Sequence, residues 1–209
     1  MYSAIGVVTP PATLLSLDQV RRHIRIDTED EDDLLEIYLG AATTMAEEFL
    51  ARALVTQTLR WVMAHSPPTN QFPMFPFTAF ILPLWMPYSM LFQRPVEIPR
   101  SPVQSIVSIA TGQWGQADTV LDPSSYHLDL NTEPSRLHLL NGAGNFPSDH
   151  LIVEFVAGYA DPASVPKPIV MAILLLTAFL YENRGDAGGD MPPAATALLW
   201  PYKIQTFGG

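Results

Sequence analysis

The sequence predicts an α+β protein that is mainly an α-helical bundle of about four helices. A small antiparallel β unit and a long loop rich in proline and aromatic residues are inserted into it. Three observations carry this reading. Two well-signalled helices open the chain, and an apolar helix near its end bears large side chains on more than one face. Between them the hydrophobic period changes from that of a helix to that of a strand. The divisions that follow are an N-terminal arm and helix pair at 1–54, the β unit at 55–160 with its long loop at 66–99, the central and final helices at 161–201, and a tail at 202–209.

Residues 1–15 carry Pro10 and Pro11, show no clear period and read as an extended arm. Ser16-Leu17-Asp18-Gln19 is a capping-box pattern, so a short helix to about Ile26 is expected, with Leu17, Val20 and Ile24 on one face. Thr28-Glu29-Asp30-Glu31 has the form of a second box. Acidic residues up to Asp33 then lie in a first helical turn, where the backbone dipole favours negative charge. Leu34, Tyr38, Ala41, Met45 and Phe49 recur at helical spacing, flanked by Leu35, Leu39, Ala42 and Leu50, and carry this helix to about Ala53. A calcium loop counted from Asp27 would need Gly and Glu where the chain has Asp32 and Tyr38, so the acidic run reads as a helix start.

From Val55 the pattern alternates, and residues 55–63 read as a strand. The stretch 66–99 holds Phe72, Phe75, Phe77, Phe80, Trp85, Tyr88 and Phe92, with almost no charge before Arg94. So apolar a loop would be a liability if left exposed, and it packs either on its own sheet or on a neighbour. Further strands are expected at 102–112, 119–121, 125–130, 136–140 and 151–157, with turns at Asp122-Pro123 and Asn141-Gly142. Ser164 is the candidate cap of the central helix and Pro166 falls in its first turn. Ile169, Val170, Ile173, Leu174, Leu176, Thr177, Leu180 and Tyr181 cover more than one face, so other elements should wrap this helix. Gly185 stops it. A short helix at 194–200 ends at Pro201.

The bulk properties narrow the functional classes. The chain has no Cys, which rules out a disulfide framework and thiolate metal sites. No signal peptide is expected from its start. Neither 169–181 nor 77–90, broken by Pro83 and Pro87, approaches the roughly 20 apolar residues of a membrane-spanning helix. Net charge is −10, from 11 basic and 21 acidic side chains, the wrong sign for binding phosphates and the right one for repelling DNA.

Catalytic patterns are missing. His23, His65, His127, His138 and His150 are scattered, and no pair has the spacing of a helical metal site. His127 and Asp129 share a strand face and read as a surface pair. Gly142-Ala143-Gly144 has neither the third glycine nor the following helix of a phosphate loop, and there is no nucleophile elbow. No catalytic residue, metal or cofactor is expected, and the chain reads as a non-enzyme.

Four stretches together resemble a known family. SLDQVRRHIRID, then DDLLEIYLGAATTMAEEFLARALVTQTLRW, LDPSSYHLDLNTEPSRLHL and VEFVAGYADPASVPKPIVMAILLLTAFLYENRGD follow the order of the head–tail connectors, or adaptors, of tailed phages. The resemblance runs from Leu15 to Tyr202. The stretch 66–93 is longer than the family pattern.

The resemblance implies a structural protein of the virion head–tail junction, assembled in the host cytoplasm. Its copies would form a dodecameric ring between the portal protein and a stopper or tail-completion protein, and DNA would pass through the lumen without specific binding. The segment reaching into the portal corresponds to Leu198, Leu199, Trp200, Tyr202, Ile204 and Phe207. Apart from the resemblance, the apolar loop itself makes Phe75, Phe77, Phe80, Trp85, Tyr88 and Phe92 the candidate contact with a neighbouring subunit or the tail side. The competing reading is a secreted or virion-surface β module that binds carbohydrate or a receptor by stacking on Trp61, Trp85 and Trp114.

Overall fold

A computed structural model describes residues 3–64, 95–140, 149–184 and 191–204. In chain order the elements are β1 (Ser3–Thr9), α1 (Leu17–Ile24), α2 (Asp32–Leu50), β2 (Gln57–Ala64), β3 (Val96–Glu97), β4 (Val103–Gly112), β5 (Thr119–Val120), β6 (Tyr126–Asp129), β7 (Arg136–Leu139), β8 (His150–Ala157), α3 (Lys167–Glu182) and α4 (Pro193–Leu199). The α+β class holds, but the mainly helical reading does not. Among the described residues four helices stand beside eight strands in two antiparallel sheets, and strand content is comparable to helix content. Helix α1, at 8 residues, is shorter than the pattern led one to expect, whereas α4 has the 7 residues expected, set one position earlier. The supposed arm supplies a strand of 7 residues, and β4 runs for 10.

The local signals work where they are strongest. Ser16 caps α1 with both halves of the capping box: its Oγ accepts from the Gln19 N–H at 3.4 Å, and its own N–H donates to Gln19 Oε1 at 3.0 Å. The second box is absent, because Thr28 does not cap α2 and Glu31 stands at its N-cap without a side-chain cap bond. Nor does Ser164 cap α3. Its hydroxyl donates to the Asp161 carbonyl inside a single tight turn, and Pro166 opens the helix. Both α1 and α2 end on a residue in the left-handed region, Arg25 at φ 65° and Ala51 at φ 54°, although neither is glycine.

The helices share one core. Along α2 the fully buried stripe is Leu35, Leu39, Ala42, Ala46 and Leu50, one position round from the stripe anticipated, while Ala41 is exposed. These side chains meet Val20 of α1, Ile169, Ala172, Ile173 and Leu176 of α3, and Ala195 and Leu199 of α4. The central helix is less enclosed than its composition implied: Val170, Leu174 and Leu175 are half-buried, and Met171 is exposed.

A second core lies between the sheets. The larger sheet has strand order β1-β2-β8-β4-β5 and the smaller β3-β7-β6. Leu59, Trp61, Ile109, Val153 and Phe155 from the large sheet cluster with Leu137 of β7, and Val96, Leu128 and Leu139 pack on its margin. This is the alternation expected of sheets packed face to face. The two cores meet at Ala53-Leu54-Val55, where Leu54 and Val55 face the helices and Ala53 faces the sheets.

Candidate interaction surfaces

The C-terminal segment closes over the end of α2. After α4 the chain makes one tight turn, Trp200–Tyr202. The Ile204 N–H then donates to the Leu50 carbonyl at 3.0 Å. That carbonyl belongs to the last turn of α2, whose oxygens lack partners within the helix. Arg52 Nε donates to the Tyr202 carbonyl at 2.6 Å. The Lys203 ammonium lies 4.6 Å from the centre of the Phe49 ring and 5.7 Å from that of Trp200. The result is an aromatic and cationic patch at one end of the helical layer.

The six residues anticipated as the portal segment separate within that patch. Leu199 is wholly buried in the helical core, Leu198, Tyr202 and Ile204 are half-buried, and Trp200 is 56% exposed. Phe207 lies outside the described residues. So do Phe75, Phe77, Phe80, Trp85, Tyr88 and Phe92, and with them nearly all of the long aromatic stretch. Its last part carries β3, a two-residue strand inside the region read as loop.

Acidic residues around the start of α2 converge on one arginine. Arg21 reaches Asp18 at 2.5 Å, Glu29 at 3.1 Å and Asp32 at 3.2 Å. The three carboxylates share this one guanidinium, which offsets part of their charge. Glu31, beside them, accepts from the Tyr181 hydroxyl and, at 2.8 Å, from Arg184 at the end of α3. These two donors hold its carboxyl below the usual glutamate range. Among the described residues no group of three His, Asp or Glu is placed to hold a metal ion, and no helix is long and apolar enough to cross a membrane.

His127 faces His138 across the β6–β7 pair, with ring centres 6.4 Å apart. Asp129 instead accepts the Asn131 N–H in the following turn, which lowers its carboxyl below the ordinary value. A third cluster has no signal in the sequence. His150 is buried at the start of β8, with its Nε2 2.7 Å from Asp118 Oδ1 and its ring 4.7 Å from that of the exposed Trp114. Of the three tryptophans proposed to stack on sugars, Trp61 is buried between the sheets, Trp114 leans on His150, and Trp85 lies outside the described residues.

With this geometry in view, the resemblance read from the sequence holds. Residues 15–113 match the family model described as phage gp6-like head-tail connector protein. No curated protein matches the chain. Among solved structures, a chain in the neck of an empty gene transfer agent (GTA) particle computed with C6 symmetry superposes with a TM-score of 0.72 at 22% identity, covering 99% of this chain and 98% of that one. A chain in the virion of the native gene transfer agent particle gives a TM-score of 0.70 at 22% identity, with 98% of each chain covered. One in the native neck computed with C12 symmetry gives 0.66 at 19% identity, covering 99% of this chain and 98% of that one.

Proposed function

We propose that this chain is a structural head–tail connector of a phage-like particle, forming a ring at the junction of head and tail. The observation that carries this is one architecture matched along nearly its whole length to chains of gene transfer agent necks and virions, together with the connector family match over residues 15–113. Neck structures solved with sixfold and twelvefold symmetry support a ring of copies. Twelve is the number we propose.

The finer assignments belong to the same proposal. The patch of Trp200, Tyr202 and Lys203 with Leu198 beside it faces the portal, and the chain beyond Ile204, which includes Phe207, extends into it. Leu199, inside the core, holds this patch in place from behind. The uncharged aromatic stretch with Phe75, Phe77, Phe80, Trp85, Tyr88 and Phe92 contacts a neighbouring subunit or the stopper on the tail side. A chain of net charge −10 lines a channel that DNA crosses without adhering. Assembly takes place in the host cytoplasm.

The test is complementation of particles made without this chain. The full chain should restore joined heads and tails, and a chain cut after Ile204 should fold normally yet fail to join them. The cut must fall there, because Tyr202 and Ile204 are bonded to the end of α2. Heads that join tails without the chain would overturn the connector role. Full activity of the truncated chain would overturn the portal assignment alone.

A further inference from the structure

The larger sheet has two open edges, and they match one another. Among the described residues β1 pairs with β2 only. At the other side β5 covers β4 only at Ala110 and Thr111, with one further bond from the Leu121 N–H to the Ile109 carbonyl, which leaves Val103 to Ser108 open on that side among the described residues. The open run on β4 is about as long as β1. Neither segment contains a charged residue, and neither contains a proline. Natural sheets blunt exposed edges with charge, proline, bulges or extreme shortness, because unpaired N–H and C=O groups recruit other strands. Of these devices the two edges carry only irregularities of register, one in β1 between Val7 and Thr9 and two in β4, between Val103 and Ser105 and between Ile106 and Ser108. Here the edges also carry apolar side chains: Ile5, Val7 and Val8 on one side, Val107 and Val120 on the other, each between 41% and 68% exposed.

We infer that β1 of one copy pairs with the open β4 edge of the next, joining the large sheets into one continuous band around the ring. The inference rests on the ring reading above. The pairings β1–β2, β2–β8 and β8–β4 are all antiparallel, so β1 and β4 run in opposite directions. A neighbour set beside the sheet in the same orientation therefore brings its β1 antiparallel to β4, and the alternation continues across the junction. The contact is heterologous, and such contacts close into rings when the rotation between copies allows. Closure pairs both of these edges of the larger sheet, which removes the liability that they carry in each isolated copy.

The absence of cysteine makes the test direct. A side chain at Gly6 meets nothing within 4 Å, and Gly6 lies on the sheet face that also carries Ser105 and Ser108. Paired strands bring Cα atoms within the range of about 4.4–6.8 Å that a disulfide requires. Chains carrying Gly6→Cys with Ser105→Cys, or Gly6→Cys with Ser108→Cys, are oxidised at high concentration and in purified particles. In at least one of the two pairs a ladder of covalent oligomers should form, running up to the full ring. A mixture of the two single variants should stop at dimers. Val7→Lys, at an exposed position, should weaken ring formation at least tenfold while the circular dichroism of the chain stays unchanged.

Rings without any cross-link would overturn the edge contact and leave the ring reading intact. Efficient dimers from Gly6→Cys alone would overturn it in favour of β1 against β1. Cross-linking of Gly6→Cys to a different protein would replace the second copy with a foreign strand. A wild-type chain that stays monomeric both in solution and in particles would remove the ring reading and this contact together.

Discussion

Arg52 makes a two-point ion pair with Glu133, its Nη1 at 3.1 Å and its Nη2 at 2.5 Å from the two carboxylate oxygens, across 81 positions of sequence. The same guanidinium donates from Nε to the Tyr202 carbonyl. One side chain at the end of α2 therefore ties the turn between β6 and β7 and the C-terminal segment to the helical layer. Glu133 is half-exposed, so the ion pair alone contributes about 0–1 kcal/mol. The charged bond to the Tyr202 carbonyl adds about 1.5 kcal/mol or more.

Replacing Arg52 by alanine should lower unfolding stability by about 2 kcal/mol. It should also speed hydrogen exchange at the Ile204 N–H, whose bond to Leu50 depends on the segment staying in place. Exchange at Ile204 unchanged from the wild type would show that the segment is held by α4 alone.

Glu31 sets a dependence on acid. The Tyr181 hydroxyl, and after it Arg184, keep its carboxyl below the ordinary 4.5. The folded chain thus binds this proton more weakly than the unfolded chain does. The associated stability is fully present above about pH 4.5 and is lost as pH falls through the lowered value. Tyr181→Phe removes the first donor, so its deficit against wild type should be largest at pH 7 and shrink below pH 4. Urea midpoints at both pH values measure this, and a constant deficit would assign the effect to packing of the ring.

Glu47 behaves in the opposite sense. Its carboxyl is largely removed from water beside the Leu54 N–H and Gln57 amide, which donate at 2.7 and 3.0 Å, and burial pushes its pKa above 4.5 despite these bonds. A raised carboxyl favours the folded state while protonated, and that advantage is lost as pH rises through the raised value. Glu47→Gln retains an oxygen to accept both bonds and cannot ionise. Its stability should therefore gain on wild type as pH increases from 4 to 8. A wild type that gains on the variant over that range would show the charge to be favourable.

How much of this could be read from the sequence follows the range of each interaction. The capping box at Ser16 is complete within four residues, and it was legible. The strands from β4 to β8 carry turn signals and alternation, and they were legible too. β1 was not, because Ser3–Thr9 has no polar alternation and its partner, β2, lies about fifty to sixty positions away. The acidic residue Glu31 looked like half of a local cap, yet its partners are Tyr181 and Arg184, 150 and 153 positions on. The α2 stripe was displaced by one residue because alanines on both faces leave the helical period nearly degenerate, and packing against α3 decided between them. Within the segment expected to reach the portal, sequence alone could not separate the buried Leu199 from the exposed Trp200.

Gly158 tests the joint between the two cores. It follows β8 at φ +110°, a region that L side chains rarely adopt. A Cβ there would stand 2.2 Å from the Val55 carbonyl oxygen and 2.8 Å from the Thr56 nitrogen, both of them backbone atoms that cannot swing aside. The neighbouring contacts fix the same crossing: Val55 bridges Tyr159, the Thr56 hydroxyl donates to the Tyr159 carbonyl, and Gln104 donates to the carbonyl of Gly158 itself. Gly158→Ala must therefore either force the chain apart where it passes from β8 towards α3 or hold a strained residue, at a cost of roughly 3 kcal/mol or more. Gly6→Ala, where the added carbon meets nothing and φ is ordinary, should change stability by less than about 1 kcal/mol. Denaturant unfolding of both variants gives the comparison. Equal, small effects would mean that the strand and helix layers can separate at this crossing without disturbing either core.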